Sequence, residues 1–202
     1  ESAKREGVVH LGISEQRIEN VSTAIEPWFK PVDVAQDDES ALRHKLGLRA
    51  GFVLYVGGAD ERKNLPRLIR AWSALPSALR QSHQLLFAGK VPDSYVAKLK
   101  DVATRAGLKH DELRFTGYVS DEELVQLYNL CELFVFPSWH EGFGLPVLEA
   151  MACGAPVIVA DASSLPEVVG SVEACFDPMD VSAISAKIQQ ALDDEDFRDR
   201  LS

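Results

Sequence analysis

From Phe52 onward the chain repeats one pattern: a short apolar run, a turn of small or polar residues, then a longer stretch with apolar residues at helical spacing. FVLYVGG opens the series. Leu65 to Leu79 follows as a helix, with Leu65, Leu68, Ile69, Trp72 and Leu75 on one face. HQLLFAG precedes a helix over Ser94 to Ala106, and ELRFTG one over Asp121 to Cys131 capped by Ser120 or Asp121. LFVFPS leads into a helix from Leu145 to Cys153 closed by Gly154, and APVIVA into a short helix near Leu165 to Val169. A weak strand, EACFDP, and an amphipathic helix over Val181 to Leu192 complete it. Strands this short and uniformly apolar are covered on both faces, and their alternation with helices calls for parallel neighbours joined by crossovers. The predicted fold class is α/β: a doubly wound, Rossmann-like parallel sheet of about six strands with helices on both faces.

The first 45 or so residues read differently. They hold one alternating run, Arg17 to Ile25, then Pro27, Trp28, Phe29 and Pro31, then the acidic stretch DVAQDDES. This reads as a linker with one strand (1–45) ahead of the Rossmann-like domain (46–202). A formal net charge of −10 excludes a basic nucleic-acid-binding face but not a phosphate ligand, which a helix N-terminus and local cations can hold. The cysteines Cys131, Cys153 and Cys175 are odd in number and lack CxxC spacing, which fits small buried hydrophobes in a reducing cytoplasm rather than disulfides or zinc. No apolar run approaches the roughly 20 residues a membrane span needs.

In a doubly wound sheet ligands lie beyond the carboxyl ends of the strands, where strand order reverses. After the first strand comes GGADERKN: Gly58 permits close backbone approach, and Arg62 and Lys63 sit just before a helix with Pro66 in its first turn, a plausible diphosphate site. After the third strand, Tyr118 and Val119 lie at the cleft rim. After the fourth comes PSWHEGFGLPVLEAMACG. Gly142 and Gly144 permit a strained turn and close approach of backbone to a ligand; the backbone N–H groups around Phe143 to Pro146, Pro146 itself donating none, are unpaired helix-start donors, and Glu141 and Glu149 bracket the turn. Two carboxylates around a glycine turn suit hydroxyl recognition on a sugar and a ribose, since each accepts two hydrogen bonds. Plain structural readings also exist: Arg62 and Lys63 as solvated loop charges, Glu141 as a turn cap, Glu149 as a surface helix residue. After the fifth strand, Asp161 and Ser163 or Ser164 read as caps of the short helix.

The order G-G-x-x-x-R-K-N-L, then F-x-G-x-V, then P-S-x-x-E-G-F-G-L-P-x-L-E-A-M-A-C-G-x-P-V-I resembles the C-terminal, donor-binding domain of family 4 (group 1) retaining glycosyltransferases, one half of a GT-B enzyme, over about residues 15 to 200. The resemblance implies that Lys63, with Arg62, contacts the donor diphosphate, that Glu149 binds the nucleotide ribose, and that Glu141 acts at the donor sugar as the catalytic candidate. It further implies that the amides of Gly142 to Leu145 hold sugar and phosphate, and that the Tyr118–Val119 backbone meets the base. Many members carry Arg where this chain has Gly58, which leaves Arg62 as the substitute contact.

The implied reaction is retaining transfer of a hexose from GDP-mannose or a UDP-hexose to a glycan or lipid-linked acceptor, as in surface polysaccharide synthesis. No metal or other cofactor is implied. VSTAIEPWFKP is similar to the interdomain linker of that family, and the chain begins without Met, so an acceptor-binding N-terminal domain is expected to precede it. The implied setting is cytoplasmic, with peripheral attachment at the membrane's inner face through that domain. A non-hydrolysing sugar-nucleotide epimerase and a non-catalytic nucleotide-binding module remain open as alternatives.

Overall fold

The computed structural model describes residues 2–49 and 51–202. Its strands are β1 (Gly51–Val56), β2 (His83–Ala88), β3 (Leu113–Gly117), β4 (Leu133–Phe136), β5 (Val157–Ala160) and β6 (Cys175–Phe176). They form one parallel sheet in the order β3-β2-β1-β4-β5-β6. β1 lies at the centre, with Val53 beside Leu85 and Leu133, and Leu54 beside Leu86 and Phe134. Residues of β1, β2, β4 and β5 are buried without alternation, because helices cover both faces.

The helices are α1 (Ser2–Leu11), α2 (Gln36–Leu46), α3 (Leu65–Ser73), α4 (Ser77–Ser82), α5 (Asp93–Arg105), α6 (Asp121–Leu130), α7 (Leu145–Ala152), α8 (Leu165–Val169), α9 (Val181–Asp193) and α10 (Glu195–Asp199). The chain winds outward from β1 to β3, returns to the centre at β4, and winds outward the other way to β6. By the general rule that such crossovers are right-handed, this reversal puts the two sets of helices on opposite faces. Packing follows: α3 lies on α5 and α9, while α6 lies on α7, and α7 on α8. Trp72, Leu65, Leu68 and Ile69 of α3 are fully buried, each contributing roughly 1.5–3 kcal/mol of hydrophobic stabilisation.

Three expectations are corrected. The helix expected over Leu65 to Leu79 stops at Ser73, and α4 starts after Pro76. A proline at 76 has no N–H to give and its ring clashes with the carbonyl four residues back. The strand expected over Arg17 to Ile25 is absent: Arg17 closes a 3-10 turn (Glu15–Arg17), and Val21 is 86% exposed. Alternation makes a strand only where a sheet edge pairs with it, and neither β3 nor β6 pairs with this run. Most of the acidic stretch read as linker, from Gln36 to Ser40, is the start of α2, where Asp37, Asp38 and Glu39 face the helix dipole's positive end and Arg43, His44 and Lys45 its negative end. Leu42 of α2 and Phe29 join the core. Among the described residues no helix is long and apolar enough to cross a membrane.

Candidate functional site

Strand order reverses between β1 and β4, so the loops leaving their carboxyl ends form the walls of the cleft. After β1 the backbone turns at Gly57 and Gly58. The Tyr55 hydroxyl donates to the Gly58 carbonyl at 3.0 Å, and burial, then the nearby Glu141 charge, pushes its phenol well above the ordinary range. A Cβ at Gly58 would meet nothing within 4 Å, so this wall stays open to close approach.

A 3-10 turn, Glu61–Lys63, then brings Arg62 and Lys63 to the start of α3. Asn64 ends this turn in the left-handed conformation, φ 59°, and is 1% exposed. Asn is among the few side chains that adopt this geometry readily. Its Nδ2 donates to the Pro137 carbonyl at 3.1 Å and the Pro178 carbonyl at 2.7 Å, tying together the ends of three segments. The Ser138 hydroxyl and the Trp139 N–H both donate to the Arg62 carbonyl, at 2.9 and 3.0 Å. The loop after β1 is thereby fastened to the loop after β4.

Across this seam lies Glu141. Lys63 Nζ sits 2.5 Å from its Oε1, and Arg62 Nη1 3.2 Å from its Oε2. The Lys63 and Glu141 side chains are only 11% and 9% exposed, so neither is a solvated loop charge. Arg62 is more open: its Nη1 also donates to the His140 carbonyl, and its Nε pairs with Asp60 at 3.1 Å. Lys63 Nζ further lies 5.2 Å from the centroid of the Phe136 ring. The two expected phosphate-binding cations and the expected catalytic carboxylate are thus one contiguous cluster.

Beyond Glu141 the chain makes the glycine turn. Gly144 has φ 100°, a conformation that strains any residue with a side chain, and a Cβ there would sit 2.7 Å from Leu165 Cδ2, which would have to shift. Gly144 is the N-cap of α7, with Pro146 in the first turn. The backbone N–H groups of Gly142, Phe143, Gly144 and Leu145 donate no hydrogen bond among the described residues. Four consecutive open donors beside two cations are what an anionic ligand needs.

Glu149, one turn into α7, is half-buried and accepts a hydrogen bond from the Tyr128 hydroxyl at 2.9 Å. Burial pushes its carboxyl above the ordinary value and Asp121 adds to this, while the Tyr128 bond opposes it. Its second oxygen makes no hydrogen bond among the described residues. Tyr118 and Val119 follow β3 on the same edge of the sheet; Tyr118 is 78% exposed and Val119 is buried.

Sequence reasoning missed Asn64, Ser138 and Tyr128. An Asn directly after two cations and before a helix was a readable signal for a left-handed residue; the Tyr128 contact, from a different helix, left no local trace. One expectation is corrected. Ser163 and Ser164 do not cap α8 through their side chains. Their hydroxyls instead bond the backbone at Glu141 and Phe143.

Fold and site together define a Rossmann-like α/β domain with an anion-ready cleft at its switch point. The group 1 glycosyl transferase family matches residues 38–202, and the chain belongs to that family. It is 41% identical over 197 residues to the serotype-specific mannosyltransferase WbdA of Escherichia coli, covering 98% of this chain and 24% of that protein. It is 44% identical over 151 residues to O-antigen chain mannosyltransferase B of Escherichia coli, covering 74% of this chain and 39% of the relative. A crystal structure of a glycosyltransferase from Rickettsia africae superposes with a TM-score of 0.86 at 17% identity, over 99% of this chain and 54% of that one. The fold is that of the C-terminal domain of GT-B glycosyltransferases, and the chain spans about a quarter to two fifths of the mannosyltransferases it matches.

Proposed function

We propose that this chain is the donor-binding domain of a retaining, metal-independent hexosyltransferase that uses a nucleotide-diphosphate sugar to extend a surface polysaccharide. Mannose is the favoured sugar, since the relatives at 41% and 44% identity are mannosyltransferases; GDP-mannose is then the donor, with a UDP-hexose the second reading. The observation that carries the proposal is the cluster itself: Arg62 and Lys63 beside four open backbone donors, with Glu141 between them. Cations placed where the leaving diphosphate gathers charge stabilise the transition state electrostatically. Lys63 and Arg62 do this work, the amides of Gly142 to Leu145 hold the sugar and phosphate oxygens, and Glu149 takes the ribose hydroxyls with its free oxygen. Glu141 contacts the sugar and holds charge at the reacting carbon. The acceptor is a glycan or lipid-linked sugar, brought by a second domain that closes the cleft.

Retention follows a same-face path through an oxocarbenium-like state. Glu141 is already paired with Lys63 and Arg62, so no covalent nucleophile is invoked, and the donor phosphate receives the acceptor proton. The test is Glu141→Ala in the full-length protein. Turnover should fall about 100-fold or more while nucleoside diphosphate affinity changes little, as expected of a group acting mainly in the transition state. Equal effects on both would reduce Glu141 to a binding residue.

A further inference from the structure

Ser163 stands at φ 50°, a left-handed conformation that side chains other than Gly, Asn and Asp seldom adopt. Such a residue is kept where the surroundings over-determine it, often at a functional site. Its hydroxyl is used twice on one residue. The Glu141 N–H donates to Ser163 Oγ at 2.8 Å, and Ser163 Oγ donates to the Glu141 carbonyl at 2.7 Å. Ser164, 5% exposed, lies 3.1 Å from the same carbonyl and 2.9 Å from that of Phe143, with one proton to share between them. The next residue, Leu165, packs its Cδ2 against Gly144, 2.7 Å from where a Cβ there would stand. The turn after β5 is therefore a seat for the Glu141 loop, and the carboxylate that Lys63 and Arg62 hold from one side is held by its backbone from the other.

We infer that Ser163 is a positioning residue for Glu141: its hydroxyl fixes the Glu141 backbone so that the carboxylate meets the donor sugar in register. This rests on the proposed role of Glu141. Loss of this clip leaves the cations and open amides in place, so donor binding survives while alignment at the reacting carbon degrades. A misplacement of about 1 Å at a reacting centre costs on the order of 100-fold in rate.

The experiment uses the full-length protein with Ser163→Ala, Ser163→Gly, Glu141→Ala and the Ser163→Ala/Glu141→Ala double variant. Steady-state sugar transfer, nucleoside diphosphate affinity and thermal midpoint are measured for each. Glycine takes φ 50° without strain, so Ser163→Gly keeps the backbone geometry and removes only the hydroxyl. Both Ser163 variants should lose about 10–100-fold in kcat, with donor KM and nucleotide affinity changed about threefold or less. The double variant should turn over no more slowly than Glu141→Ala, because Ser163 acts through that residue. Parent-like turnover in Ser163→Gly would overturn the inference alone, making the conformation and not the hydroxyl the requirement. A double variant slower than Glu141→Ala by the full Ser163 factor would overturn it too, as would loss of folding in both Ser163 variants. Parent-like turnover in Glu141→Ala would instead overturn the reading of the site, and the inference with it.

Discussion

Replacing Lys63 by Met tests the cluster most sharply in the absence of ligand. Met keeps the unbranched stem, and its thioether packs well beside the Phe136 ring that Lys63 Nζ faces at 5.2 Å. What is lost is the charge 2.5 Å from a Glu141 side chain only 9% exposed. Breaking a buried pair by removing one partner costs about 3–5 kcal/mol, since the other charge stays buried. Arg62 remains on the second oxygen at 3.2 Å, but it is 44% exposed, so it offsets about 1 kcal/mol at most. The net expectation is about 2–4 kcal/mol, which in a domain of this size lowers Tm by roughly 5–15 °C. Urea unfolding of the parent, Lys63→Met and Lys63→Met/Glu141→Gln would measure it. The double variant should recover much of the loss, because no ionised carboxylate is left unpaired. A loss below about 1 kcal/mol, or no recovery, would refute the reasoning that this pair is desolvated.

Other outcomes follow from the same geometry. Gly144→Ala should cost at least about 1–3 kcal/mol, from an alanine forced to φ 100° and a contact with Leu165 that must give way, seen as a lower Tm. Tyr128→Phe removes the bond that favours ionised Glu149, so the Glu149 pKa should rise further above its ordinary value in a carboxyl-carbon NMR titration; an unchanged value would deny that bond its role. At the opposite end of the sheet His83 and Glu132 pair at 2.8 Å, which raises the imidazole pKa above 6.5 and lowers the carboxyl below 4.5. The raised group stabilises fully below its unfolded value and loses this as pH climbs through its folded one. The lowered group stabilises above its unfolded value and loses this as pH falls. The pair's contribution is therefore full between about pH 4.5 and 6.5. It should reach about 0.5–1 kcal/mol, because Glu132 is 41% exposed, and His83→Gln should remove the decline that begins above pH 6.5 in urea midpoints. The 202-residue chain itself carries one Rossmann-like sheet, so it should bind nucleotide weakly and transfer little sugar; robust transfer by it alone would show that no second domain is needed.

The parallel sheet was legible because its strands are uniformly apolar and separated by helical periodicity, a pattern few folds accept. The cleft was legible for the same reason: Arg62, Lys63, Gly142 and Gly144 all lie in the loops that leave the carboxyl ends of β1 and β4. The opening segment was not. α2 buries little beyond Leu42, so its helix is supported by charges at its ends rather than by an apolar stripe, and polarity alone looked like linker. The run from Arg17 to Ile25 alternates as a strand does, yet pairing is a property of the whole sheet and leaves no mark on one segment. The roles of Tyr128, Ser163 and Ser164 were hidden for a related reason. Each reaches a residue about 21 or more positions away, and only the assembled fold sets such distances.

The central claim is that the cleft at the switch point binds a nucleotide-diphosphate sugar through Lys63 and Arg62 without a metal. Isothermal titration of the full-length protein with GDP, UDP, GDP-mannose and UDP-glucose, in the presence of EDTA, tests it directly. The account predicts saturable one-to-one binding of one base series, GDP-mannose foremost, weakened about 10-fold or more by Lys63→Met through loss of a charge-assisted contact. Absence of binding by every ligand, binding only when a divalent metal is restored, or equal affinity in Lys63→Met would contradict it.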